Sequence, residues 1–113
     1  MCTQSQAIAI MKDVFVSCIP ILGKSLQEAY LYGSFARGDY HEESDIDLLL
    51  VVNQSMDKLA SYRKSIAIIA SDMSLKYDIT ISITVKSKQH FEQYANVLPY
   101  YQNVIKEGIR YAV

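Results

Sequence analysis

Apolar positions recur at helical spacing over residues 4–18. Ile8, Met11, Phe15 and Cys18 stand at i, i+3, i+7 and i+10, with Ala7, Ile10 and Val14 beside them. Such a stripe lies along one side of a 3.6-residue helix, and Pro20 and Gly23 are read as its end. Residues 28–32 form a short run into Gly33-Ser34 and read as a strand. Residues 35–44 are polar and glycine-bearing, a loop or short helix. Residues 45–52, DIDLLLVV, are apolar after two acids, the pattern of a central strand covered on both faces. Residues 53–55 read as a turn and helix cap.

A second long helix is predicted over 56–75, with Leu59, Tyr62, Ile66, Ile69 and Met73 on one face. Residues 78–85, DITISITV, alternate. Ile79, Ile81, Ile83 and Val85 share one face; Asp78, Thr80, Ser82 and Thr84 share the other. Residues 88–95 and 97–107 read as two short helices divided near Pro99, with Gly108 as a C-terminal cap and 109–113 as a last strand. The order α-β-(loop)-β-α-β-α-(β) predicts a mixed α/β (α+β) domain with helices mainly on one sheet face. There is no repeat, low-complexity stretch or linker, so residues 1–113 are expected to form a single domain.

Composition narrows the function classes. Half of the 113 residues are hydrophobic and 20% are charged, a globular balance. Eleven basic residues against twelve acidic ones leave a net charge of -1 and no electrostatic footprint for duplex nucleic acid or an anionic membrane. Cys2 and Cys18 make neither a disulfide framework nor a zinc site, and Cys18 reads as a core thiol. No basic-then-apolar leader opens the chain, and no unbroken apolar run approaches the roughly 20 residues of a membrane span. A cytoplasmic protein is expected, in which the sequon Asn53-Gln54-Ser55 carries no meaning.

The candidate chemistry lies in residues 33–52. Asp45 and Asp47 are two apart on a predicted strand and point to one face. Their Cα atoms should lie roughly 6.6 Å apart, at about 3.3 Å per residue. Carboxylates so placed can converge on one or two hard cations, and Mg²⁺ also binds substrate phosphates. The alternative is a solvated pair at a strand mouth. Upstream, Gly33 lets the backbone approach a phosphate, and the Ser34 hydroxyl and following amides can donate to it. Arg37 could bind a phosphate bidentately, or serve in an internal ion pair. His41 and His90 read as structural. Tyr40, Tyr100 and Tyr101 are candidates to stack on a base or to pack the core. Gly23-Lys24-Ser25 lacks the upstream glycine of a phosphate-binding P-loop, since Cys18 stands in its place.

The pattern GSFARG…SDIDLLLV resembles the signature of the DNA polymerase beta-like nucleotidyltransferase superfamily, most closely the small prokaryotic minimal nucleotidyltransferases. The motifs span residues 28–85, and length and element order extend the likeness over almost the whole chain. The resemblance implies a nucleotidyltransferase fold. It also implies Mg²⁺-dependent transfer of a nucleoside monophosphate from a nucleoside triphosphate, expected to be ATP, to a hydroxyl, releasing pyrophosphate. By position, Gly33 and Ser34 would hold the triphosphate and Asp45 and Asp47 would ligate two metal ions. A third family carboxylate, on a later strand beside the first two, is matched to Asp78, which would ligate the catalytic metal and help deprotonate the acceptor. Larger relatives carry an extra helical domain for the acceptor. At this length, acceptor recognition is expected from a partner or a homo-oligomer. The resemblance points to a HEPN-type helical protein, with this chain as the antitoxin of a toxin–antitoxin pair. The rival expectation is a non-catalytic module that keeps the fold and senses nucleotide or docks to a partner.

Overall fold

A computed structural model describes residues 2–112. The chain runs α1 (Gln4–Leu22), a 3-10 turn, β1 (Leu26–Tyr32), α2 (Ser34–Arg37), β2 (Ile46–Val52), α3 (Met56–Ala60) and α4 (Arg63–Tyr77). It continues as β3 (Ile81–Ser87), α5 (Lys88–Tyr94), α6 (Pro99–Glu107) and β4 (Ile109–Ala112). Val113, the end of the expected last strand, lies outside the described residues. The four strands form one sheet in the order β3-β2-β1-β4. β1 is antiparallel to β2 and β4, and β2 is parallel to β3. The expected mixed fold is therefore present. A parallel pair needs a crossover connection, and α3 and α4 provide it.

Burial explains the apolar run in β2. Ile46, Leu48, Leu50 and Val52 face the main core, where they meet Ala7, Ile10, Met11, Val14, Phe15 and Cys18 of α1 and Ile66 of α4. Leu49 and Val51 face the other way, onto Tyr30, Phe91, Tyr101 and Val104. Most helical mass packs on the first face, as expected. α5 and α6 add a smaller layer on the second, and the site lies beside that layer. The Cys18 thiol is fully buried, as expected of a core thiol, and burial raises its pKa to about 11.

Several boundaries differ from expectation for local reasons. α1 continues through Pro20 to Leu22. In the last turn a proline costs one hydrogen bond, from the carbonyl four residues back; that residue, Val16, is exposed. With its following turn, α1 is long and apolar enough to cross a membrane by length and composition alone. Here its apolar stripe faces the sheet. The helix expected over 56–75 is broken at Ser61–Tyr62, where Ser61 and Tyr62 amides bond three residues back, to Lys58 and Leu59, at 3.1 and 3.0 Å. The Ser61 hydroxyl donates to the same Lys58 carbonyl, a local bond that competes with helix continuation.

α4 then runs to Tyr77 rather than 75. Lys76 and Tyr77 both donate to Asp13 of α1, which ties the helix end to the core. β3 starts late as a result, at Ile81 rather than 78. Asp78 is not on the strand. It is the C-cap of α4 in the left-handed conformation (φ 52°, ψ 46°), its amide bonded to Ser74. The Ser74 hydroxyl accepts from the Ile81 amide at 3.0 Å, so one serine both ends the helix and starts the strand.

Candidate active site

β1 delivers the chain to Gly33, which turns it into the single-turn helix α2. Gly33 has φ 78° and ψ −155°, a region essentially closed to side chains. A Cβ built there would lie 2.5 Å from Oδ2 of Asp47. Glycine is thus required twice, by the turn and by the carboxylate against its Cα. The Gly33 carbonyl accepts from the Ala36 and Arg37 amides, each at 3.1 Å. A helix start leaves its first amides without intrahelical acceptors, so Ser34 opens α2 with free donor capacity. Gln4 of α1 donates to the Phe35 and Ala36 carbonyls at 3.0 and 3.3 Å, fixing the far end of the turn. Phe35 is buried and stacks on Tyr40, ring centroids 4.5 Å apart. In the loop back to β2, the Ser44 hydroxyl accepts from the His41 amide at 2.9 Å.

Across the sheet, Tyr32 of β1 pairs with Asp47 of β2, and Asp47 pairs with Ser82 of β3. These three form one row at the mouth of the sheet, on the face that carries α6. Asp45 precedes β2 and is exposed, whereas Asp47 is half-buried. Burial pushes the Asp47 carboxyl above its ordinary pKa. Repulsion from Asp45 adds to the rise, and the Arg37 guanidinium opposes it.

A cavity of about 430 Å³ lies over this row. Tyr32, Gly33, Ser34, Arg37 and Asp47 wall it on one side, and Tyr100, Asn103 and Glu107 of α6 on the other. The Tyr100 hydroxyl donates to that of Tyr32 at 2.9 Å. Arg37 reaches Asp39 at 3.2 Å and Glu107 at 3.6 Å.

The sequence-predicted residues separate into two groups. Gly33, Ser34, Arg37 and Asp47 share the cavity, and Asp45 adjoins it through its charge coupling to Asp47. Asp78 does not join them. It walls a larger cavity of about 540 Å³ with Cys2, Gln6 and Glu42. That cavity has more room, but it lacks the glycine turn and the paired acids, so the smaller one is the candidate site. Among the described residues, no three His, Cys, Asp or Glu side chains converge as metal ligands. Asp45 and Asp47 nevertheless fit a hard divalent cation in donor type. They are carboxylate oxygens, one of them half-buried against its neighbour's like charge, which a cation would relieve.

Of the tyrosines considered for stacking, only Tyr100 lines the site. Tyr40 packs on Phe35, and Tyr101 is buried with its hydroxyl 2.7 Å from Nδ1 of His90. Tyr32, Asn103 and Glu107 are not marked by any local motif: Tyr32 ends β1 beside Gly33, and α6 brings Asn103 and Glu107 in from the far end of the chain.

A family model described as a nucleotidyltransferase domain matches residues 19–112. This chain belongs to the nucleotidyltransferase domain family. As a nucleotidyltransferase it is an enzyme of that class. Two Methanocaldococcus jannaschii proteins resemble it, each named as a putative protein adenylyltransferase. One, MJ0141, is 45% identical over 83 residues, covering 74% of this chain and 82% of the relative. The other, MJ0604, is 35% identical over 83 residues, covering 74% and 75%. Solved structures share the fold. A toxin–antitoxin structure with AMP-PNP has a TM-score of 0.58 at 18% identity, covering 90% of this chain and 73% of that one. A nucleotidyltransferase structure from Sulfolobus solfataricus has a TM-score of 0.51 at 22% identity, covering 95% and 80%.

Proposed function

We propose that this nucleotidyltransferase transfers AMP from ATP, bound with Mg²⁺, to a hydroxyl of a protein acceptor in the cytoplasm and releases pyrophosphate. The observation that carries the reading is the contact of Gly33 with Asp47. It sets a phosphate-accommodating turn directly against a metal-binding carboxylate. The names of the two archaeal relatives support ATP as donor and protein as acceptor. The toxin–antitoxin neighbours support a protein partner, which we take to be a small helical protein of the HEPN type, with this chain as its antitoxin.

In this reading the Ser34 hydroxyl and the first amides of α2 donate to triphosphate oxygens. Arg37 exchanges Glu107 and Asp39 for a phosphate, which its planar fork binds bidentately. Asp45 and Asp47 would hold Mg²⁺, which supplies neutralisation of the charge that builds on the phosphate oxygens and the departing pyrophosphate. Both carboxylates must be ionised to do so. The chain's contribution is positioning and electrostatics, as in other phosphoryl transfers. The attacking hydroxyl comes from the partner.

The test is label transfer. The chain is incubated with Mg²⁺ and a HEPN-type protein, using ATP labelled at the α- or the γ-phosphate. Label from the α-position on the partner, lost with Asp45→Asn/Asp47→Asn, supports the reading. A partner that binds the chain tightly while ATP is bound, yet takes no label, would favour the docking module instead.

A further inference from the structure

Asp47 sits in a row whose other members are not acids. Tyr32 stands in register with it on β1 and Ser82 in register on β3. Adjacent strands lie about 4.8 Å apart, so these two positions flank the Asp47 carboxylate on its own face of the sheet. Two ions in a shared site lie about 3.5–4 Å apart and are held by carboxylates that reach both. For Asp47 to be shared in that way, a further carboxylate must come from a flanking position or from across the cavity.

Neither source provides one. Ser82 offers a neutral hydroxyl and Tyr32 a phenol whose oxygen accepts from Tyr100 at 2.9 Å. Across the cavity the acid is Glu107, which pairs with Arg37 at 3.6 Å and, among the described residues, does not converge with Asp45 and Asp47 on a common metal position. Asp39 is held by the same arginine at 3.2 Å. Asp78 and Glu42 wall the other cavity. Among the described residues, the acids placed together to hold a cation beside the triphosphate position are therefore Asp45 and Asp47.

We infer that the site takes one divalent cation with each bound nucleoside triphosphate, because Ser82 stands where a second ion would need a carboxylate. The inference rests on the metal–triphosphate reading above. The single ion is held by Asp45 and Asp47, with triphosphate oxygens and water filling its remaining positions, as suits a small hard cation. The acceptor side of the site then carries no resident metal, and an acceptor hydroxyl arriving there meets Ser82 and Tyr32.

The test counts metal against nucleotide. The full chain is dialysed to equilibrium against Mn²⁺ and AMP-PNP, and bound manganese and bound nucleotide are measured separately. The expected ratio is one Mn²⁺ per bound AMP-PNP in the wild type and two in Ser82→Asp. Ser82 is exposed, so the new carboxylate is accommodated without disturbing the core. A ratio of two in the wild type would overturn the inference. So would a ratio of one in Ser82→Asp, which would free Ser82 of responsibility for the count. Failure of AMP-PNP to bind at all would instead overturn the metal–triphosphate reading, and the nucleotide count alone reports it.

Discussion

Replacing Gly33 by alanine separates backbone strain from active-site collision, because the chain carries its own control. Gly33 (φ 78°, ψ −155°) and Gly23 (φ 60°, ψ −145°) occupy the same region of backbone space. A methyl at Gly23 meets nothing within 4 Å, whereas one at Gly33 meets Oδ2 of Asp47 at 2.5 Å. A side chain in that region costs on the order of 1–3 kcal/mol, so both Gly23→Ala and Gly33→Ala should lose about that much in urea unfolding. Gly33→Ala has an added consequence. The Asp47 carboxylate must rotate away, and it is the half-buried member of the acid pair. Mg²⁺-dependent ATP affinity should therefore fall at least tenfold, about 1.4 kcal/mol, in Gly33→Ala and stay near wild type in Gly23→Ala. Equal affinity in the two variants, or wild-type affinity in Gly33→Ala, would refute the claim that Gly33 is needed for its contact with Asp47.

The remaining predictions concern charge and packing. Asp47→Asn should raise the melting temperature of the nucleotide-free protein while abolishing Mg²⁺·ATP binding, since burial and Asp45 both disfavour the charge in the free state; a lower melting temperature would contradict that electrostatic account. Because the Asp47 pKa is raised, its charge is lost at a higher pH than an ordinary aspartate's as acid is added. Mg²⁺·ATP affinity should accordingly decline from above the usual aspartate range, as read by titration at stepped pH. Asp13 has the opposite shift, held low by hydrogen bonds from Tyr77 and Lys76. Its stabilisation is present above the unfolded-state pKa and is lost as pH falls through the lower folded value. The stability gap between wild type and Asp13→Asn should thus be widest near neutrality and close in acid. Tyr101→Phe should cost about 1–3 kcal/mol in unfolding, because it leaves Nδ1 of His90 without its 2.7 Å partner. Asp78→Asn should leave ATP affinity within about twofold, since Asp78 lies outside the cavity that holds Asp47 and asparagine tolerates its left-handed backbone.

The legible parts of the sequence were those governed by local chemistry. The strand in DIDLLLVV, which begins at Ile46 and leaves Asp45 just before it, and the Gly33-Ser34 turn are legible because a strand buried on both faces and a glycine-dependent turn leave local marks. Asp78 was misplaced because its setting depends on distant partners. Asp13 draws Lys76 and Tyr77 onto α1 and lengthens α4. Asp78 then becomes a cap, and β3 begins three residues later than the alternation alone suggests. Which residue faces Asp47 is a matter of strand register. That register depends on the crossover through α3 and α4 and on the Ser74 bond to Ile81. The same holds for Tyr100, Asn103 and Glu107, which reach the cavity only because α6 packs on the second face of the sheet.

The measurement that bears most directly on the central claim is calorimetric titration of the chain with ATP, with and without Mg²⁺, beside Asp45→Asn/Asp47→Asn. Saturable binding that requires Mg²⁺ and disappears in the double variant is the predicted result. ATP binding that is indifferent to Mg²⁺, or that survives loss of both carboxylates, would contradict the assignment of Gly33, Ser34, Asp45 and Asp47 as a metal–triphosphate site.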